Sequence, residues 1–149
     1  MRWAWMFGLL AACGHEGDTL RGFEVRWDIE PRMEHWEIDE AWLRVAGNVD
    51  PPHTIIHFKH QVAPNTPHRV TGWYSWNAIG PDTIDLWRVR SHCFGYPSLV
   101  HEFGHLRLRQ TNLTADGGHT NEIWERIDRI EKRWIADMCR RREENAGLQ

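Results

Sequence analysis

The sequence predicts an α+β domain: a mixed or antiparallel sheet of three to four strands packed against helices, the longest of them at the C-terminus. Three observations predict it. Four segments, residues 23–29, 54–60, 69–76 and 83–89, are β-branched or alternate apolar and polar residues with the period of a strand. Three others, residues 34–45, 97–110 and 120–142, carry apolar residues at helical spacing or run unbroken from a helix-start signal. The chain has 149 residues and is 41% hydrophobic, which suits one packed domain and excludes collagen-like, low-complexity and multidomain architectures. Lys and Arg together number 18 against 21 acidic residues, and no basic stripe runs through the chain, so no nucleic-acid partner is expected.

Met1-Arg2 is followed by an apolar run from Trp3 to Ala12, interrupted only by Gly8. That run is about half of the roughly 20 residues a spanning helix needs, and it matches the apolar region of a secretory signal. Leu10-Ala11-Ala12-Cys13 resembles the lipobox of bacterial lipoproteins. The resemblance implies cleavage before Cys13, a lipid on that residue as the membrane anchor, and a place in the bacterial cell envelope. Residues 1–12 are then a signal peptide, 13–22 a polar, Gly-containing tether, and 23–149 the folded domain. With Cys13 taken by a lipid, Cys93 and Cys139 remain. They can pair in an oxidising compartment or stay as two buried thiols, and the sequence leaves both open.

Within the domain, Phe23-Glu24-Val25-Arg26-Trp27-Asp28-Ile29 alternates and stops at Pro31, which reads as a half-buried strand. Trp36, Trp42, Leu43 and Val45 sit among acidic residues and form a helix that Gly47-Asn48 and Pro51-Pro52 end. Thr54 to His60 begins β-branched and then alternates. Arg69–Trp76 and Thr83–Val89 flank a turn at residues 77–82 and read as a small meander. Tyr96-Pro97-Ser98 then opens a helix through about Gln110, because proline suits a first helical turn. Ile123, Ile127, Ile130, Trp134 and Met138 recur at helical spacing and mark the last helix.

The middle of these helices contains His101-Glu102-Phe103-Gly104-His105, the pattern H-E-x-x-H. At about 100° per residue, His105 lies about 40° and Glu102 about 100° from His101, so the three side chains share one sector. Two imidazoles one turn apart can hold one Zn²⁺ through nitrogen, with Glu102 beside them. A catalytic zinc normally takes three protein ligands and keeps a fourth position for water. Asp116, His119 and Glu122 are the downstream candidates for the third ligand. His119 is preferred on ligand type and because it stands at the threshold of the last helix; Glu122 could orient it or substitute for it.

His101-Glu102-x-x-His105, a thirteen-residue gap and then His119 leading into an amphipathic helix resemble the zincin metallopeptidases, and within them are most similar to the SprT-like proteins. The matching stretch is about residues 97–127. The resemblance implies a small zincin-like domain, a zinc cofactor held by His101, His105 and His119, and Glu102 as general base. It further implies hydrolysis of peptide bonds in a peptide or protein substrate by a zinc-activated water. The strand before the motif helix, Thr83–Val89, would line the cleft and pair with substrate. Residue 108 is Leu and 111 is Thr, so the longer metzincin pattern is absent. A second class of function is a non-catalytic envelope module in which zinc only ties helices together, closed by Asp116 or Glu122 as a fourth ligand.

Several other signals have plainer readings. His57 and His60 point to opposite faces of a strand and are ordinary strand residues. Of the ten Trp, Trp27, Trp42, Trp87, Trp124 and Trp134 fall on apolar faces and belong to the core, whereas Trp73, Tyr74 and Trp76 must face both ways. Tyr74, His92 and Tyr96 could each reach an oxyanion. Arg140-Arg141-Arg142 reads as a solvated helix end.

Overall fold

The computed structural model describes residues 18–20, 22–28, 33–60, 71–89, 93, 95–112 and 118–147. The expected signal peptide and Cys13 lie outside them, as do His92 and Asp116. The chain is α+β. Five strands, β1 (Asp18–Leu20), β2 (Phe23–Trp27), β3 (Thr54–Lys59), β4 (Gly72–Ser75) and β5 (Asp82–Trp87), form one mixed sheet in the order β1-β2-β3-β5-β4. Three helices, α1 (His35–Ala46), α2 (Leu99–Asn112) and α3 (Ile123–Ala146), complete it.

Two differences from the sequence expectation concern the sheet. Asp18–Leu20, assigned to the tether, pairs antiparallel with β2, so the ordered body begins before Phe23. The hairpin of β4 and β5 forms, but β5 inserts parallel beside β3 and leaves β4 at the sheet edge. The register explains the choice. Ile56 pairs with Ile84 and Phe58 with Leu86, and all four side chains are fully buried. β4, whose residues are half-buried or exposed, brings no comparable apolar row and takes the edge.

The burial alternation of β2, β3 and β5 puts Phe23, Val25, Ile56, Phe58, Ile84 and Leu86 on one face. The opposite face is polar: Lys59 pairs with Asp85 at 2.8 Å, and His57 sits between Asp28 and Asp85. The helices therefore cover one face only. Phe23 stacks on Phe103 of α2 and meets Trp42 of α1 edge-on, which joins the sheet to both helices. Trp42 and Trp134 are buried, and Trp87 and Trp124 nearly so, while Trp73 of β4 and Trp76 just beyond it are 54% exposed and Tyr74 between them is half-buried.

α1 starts with a capping box in which Glu34 and Glu37 satisfy each other's backbone N–H groups. Glu37 is fully buried, and Arg142 of α3 pairs with it at 2.6 Å. Arg141 of α3 forks onto Glu40 of α1 at 2.6 and 3.1 Å. The Arg140–Arg142 run is thus no solvated end: two of its three guanidinium groups clamp α3 to α1. A disulfide between Cys93 and Cys139 ties the loop before α2 to α3, with Cα atoms 5.4 Å apart.

Candidate metal centre

α2 lies between α1, α3 and the edge strand β4, so it is buried almost all round rather than along one stripe. Leu99, Phe103 and Leu106 face the core. Gly104 faces α3: a Cβ there would stand 3.0 Å from the Trp124 ring and 3.1 Å from Ile127 Cγ2, so glycine is what lets α3 come this close. The same approach puts Trp124 against all three candidate ligands, with ring centroids 5.0 Å from His101, 4.6 Å from His105 and 4.3 Å from His119.

His119 reaches the site from the segment before α3. Its backbone φ of 53° is in the left-handed region, uncommon for a residue with a side chain, and such a conformation persists where its surroundings hold it. Asn121 fixes the entry into α3, its side chain accepting from Ile123 N–H at 3.0 Å and its carbonyl from Trp124 N–H at 3.1 Å. His119 Nε2 lies 3.1 Å from His101 Nε2 and 3.2 Å from His105 Nε2. Three imidazole nitrogens thus converge. Tetrahedral zinc with bonds of about 2.0–2.1 Å holds its ligand nitrogens about 3.3 Å apart, so the donor type and spacing fit that ion. Burial, and then the neighbouring His105 and His119, push the His101 imidazole down to about 4, which keeps it neutral and able to ligate.

Glu102 is 4% exposed and points to the edge of β4. Trp87 N–H donates to the Thr71 carbonyl at 3.1 Å, which sets the antiparallel alternation so that Gly72 and Tyr74 turn their backbone groups outward from β5. The outward Tyr74 N–H donates to the Glu102 carboxylate. A Cβ on Gly72 would stand 2.8 Å from Glu102 Cγ, so only glycine admits the carboxylate here. The Thr71 and Ser98 hydroxyls, hydrogen-bonded to each other, hold the two elements together at this end. Burial, and then the Glu131 charge, push the Glu102 carboxyl up to about 8, while the Tyr74 N–H pulls it down.

The strand expected to line the cleft is not free to do so. β5 is paired on both sides, with β3 and β4, so it has no edge to offer; β4 holds the edge beside Glu102. Among the expected oxyanion groups, Tyr96 is fully buried against Phe58 and Trp27. Tyr74 stacks parallel to His105 at 6.1 Å and donates its hydroxyl to Asp82 at 2.6 Å. Glu122 is exposed and belongs to no ligand-distance group among the described residues. Asp128 and Glu131 of α3 instead come within such distance of His101. Burial, and then Asp128, raise the Glu131 carboxyl to about 7. A signal for Glu131 was present: it follows Ile127 and precedes Trp134 at the spacing of the buried stripe, an acidic residue where an apolar one belongs.

Compared with protein-family models, curated proteins and solved structures, the chain matches none.

Proposed function

We propose that the protein is a zinc-dependent peptidase with His101, His105 and His119 as ligands and Glu102 as the general base. The observation that carries this reading is the convergence of three imidazole nitrogens at the helix whose buried Glu102 carboxylate packs against β4, the last strand of the sheet. Bound there, zinc would supply a Lewis acid that polarises a carbonyl and lowers the pKa of water. A cation at the three imidazoles also opposes the burial that raises the Glu102 carboxyl, favouring the carboxylate form a base needs. Glu102 takes a proton from the attacking water and delivers it to the leaving amine. Trp124 and Tyr74 wall the ligands, limit water around them and hold their rings in place.

The same reading places the chain in the bacterial cell envelope, anchored through a lipid on Cys13, and the Cys93–Cys139 disulfide suits an oxidising compartment. A second reading, a zinc-stabilised module without turnover, is favoured by one observation: Asp128 and Glu131 form with His101 a second group at ligand distance, which could hold the ion in place of the three-histidine site.

Zinc stoichiometry and peptide hydrolysis together test both. The peptidase reading expects about one zinc per chain, lost in His119→Ala and kept in Glu102→Gln, with hydrolysis falling roughly 10²–10⁴-fold in Glu102→Gln. Zinc that survives His119→Ala but not Asp128→Asn or Glu131→Gln would move the assignment to the closed structural site.

A further inference from the structure

One helical turn beyond His105, α2 carries Arg109, which faces a cleft separate from the three imidazoles and Glu102. The cleft, of about 480 Å³, is open to solvent and lined by Arg109, Gln110, Asp82, Pro81 and Ile79 among others. Its size is that of a small-ligand site. Tyr74 stands between it and the metal centre: its ring stacks on His105 and its hydroxyl donates to Asp82 of the cleft wall.

Two polar side chains beside Arg109 in the cleft are engaged within the protein. Asp82 accepts from the Tyr74 hydroxyl through one oxygen and from Asn77 N–H through the other. Gln110 donates to the Asp50 carbonyl at 2.8 Å and accepts from Arg107 at 2.8 Å. Arg109 has its Nε buried without a hydrogen-bond partner among the described residues. The exposed Trp76 ring, 4.8 Å from the guanidinium carbon, holds it by its face, and among the described residues no acceptor takes up the donors of the fork. A planar cation fixed in this way suits bidentate recognition of a carboxylate.

We infer that the cleft is a subsite of the same centre and that Arg109 binds a carboxylate of the peptide, either an acidic side chain or a free C-terminus, one or two residues from the bond cut. The helix sets the spacing: the pitch of about 5.4 Å separates Arg109 from His105, and an extended peptide covers that in about two residues. Asp82 and Tyr74 then act as the partition between the two parts of the site. This rests on the peptidase reading.

The test uses the full chain carrying Glu102→Gln, with and without added zinc, and three short acetylated peptides. One has a central glutamate and an amidated end, one is neutral with a free C-terminus, and one is neutral with an amidated end. The ¹⁵N NMR signal of the Arg109 Nε–H is followed in each titration. A saturable shift with a carboxylate peptide, at least about tenfold tighter than with the neutral amidated one, is the expected result. Which of the first two peptides gives it names the source of the carboxylate. In Arg109→Gln the preference disappears, and the comparison among the three peptides stands without that variant should it fail to fold. Equal binding of all three, binding of none, or an unchanged preference in a folded Arg109→Gln overturns the inference. Hydrolysis of the same peptides by the wild-type chain is scored separately. Hydrolysis indifferent to the carboxylate leaves the peptidase reading and removes the subsite, whereas selective binding without hydrolysis of any peptide keeps a carboxylate site at Arg109 and overturns its role as a peptidase subsite.

Discussion

Gly72 of the edge strand lies so close to Glu102 that a single methyl group would stand 2.8 Å from its Cγ and 2.9 Å from its Cδ. The position of the carboxylate is therefore set by a residue thirty places earlier that has no side chain. Gly72→Ala is expected to leave zinc content unchanged and to lower peptide turnover by about 100-fold, the loss that a misplacement of about an ångström produces. Metal analysis beside steady-state kinetics checks it, and a Gly72→Ala protein as active as the wild type would show that Glu102 is placed by something else.

Gly104→Ala sets two effects against each other. Alanine is worth about 1 kcal/mol more than glycine within a helix, but its Cβ would press on Trp124 and Ile127, both buried, at a cost of about 1–3 kcal/mol. The net loss of stability should be about 0–2 kcal/mol. Zinc affinity should fall clearly, because Trp124 backs all three imidazoles and moves with α3. Competition with a chromogenic chelator would measure it.

Arg142→Met should cost about 3–5 kcal/mol by leaving Glu37 charged in a fully buried place. Adding Glu37→Met removes that charge and should recover most of the loss. Urea unfolding of the two single variants and the double variant measures the coupling, and additive losses would show that the pair is independent.

In the metal-free protein, Glu131 has a folded-state pKa raised from 4.5 to about 7 by burial and by Asp128. The folded state binds more protons than the unfolded between those values, so this group's contribution to stability falls as pH rises through that window. Glu131→Gln should therefore match the wild type near pH 4.5 and gain on it up to about pH 7, where the difference levels off. Paired melting curves across that range decide it; a constant difference would contradict the assigned cause.

Reduction of the Cys93–Cys139 bridge, which closes a loop of 46 residues, should cost roughly 3–4 kcal/mol on the chain-entropy account. Denaturant unfolding with and without reductant measures it.

The sequence by itself determined the three helices, four of the five described strands and the pattern at the centre of the proposed site. Period-two and helical spacing are local, and an H-E-x-x-H pattern on a helix places its side chains by the helical repeat alone, so His101, Glu102 and His105 were readable without any partner. His119 was readable as well, since it is a histidine at the threshold of the last helix. What joins distant parts of the chain was decided by tertiary structure. Whether β4 or β5 sits beside β3 depends on which strand brings an apolar row into register, and that choice put β4, rather than the strand before the motif helix, at the edge of the described sheet. The contact of Gly72 with Glu102, the arrival of Asp128 and Glu131 at His101, and the pairing of Arg142 with Glu37 all arise where α2 and α3 meet elements far from them in sequence. No local periodicity records such meetings, because they depend on how the helices pack on the one apolar face of the sheet.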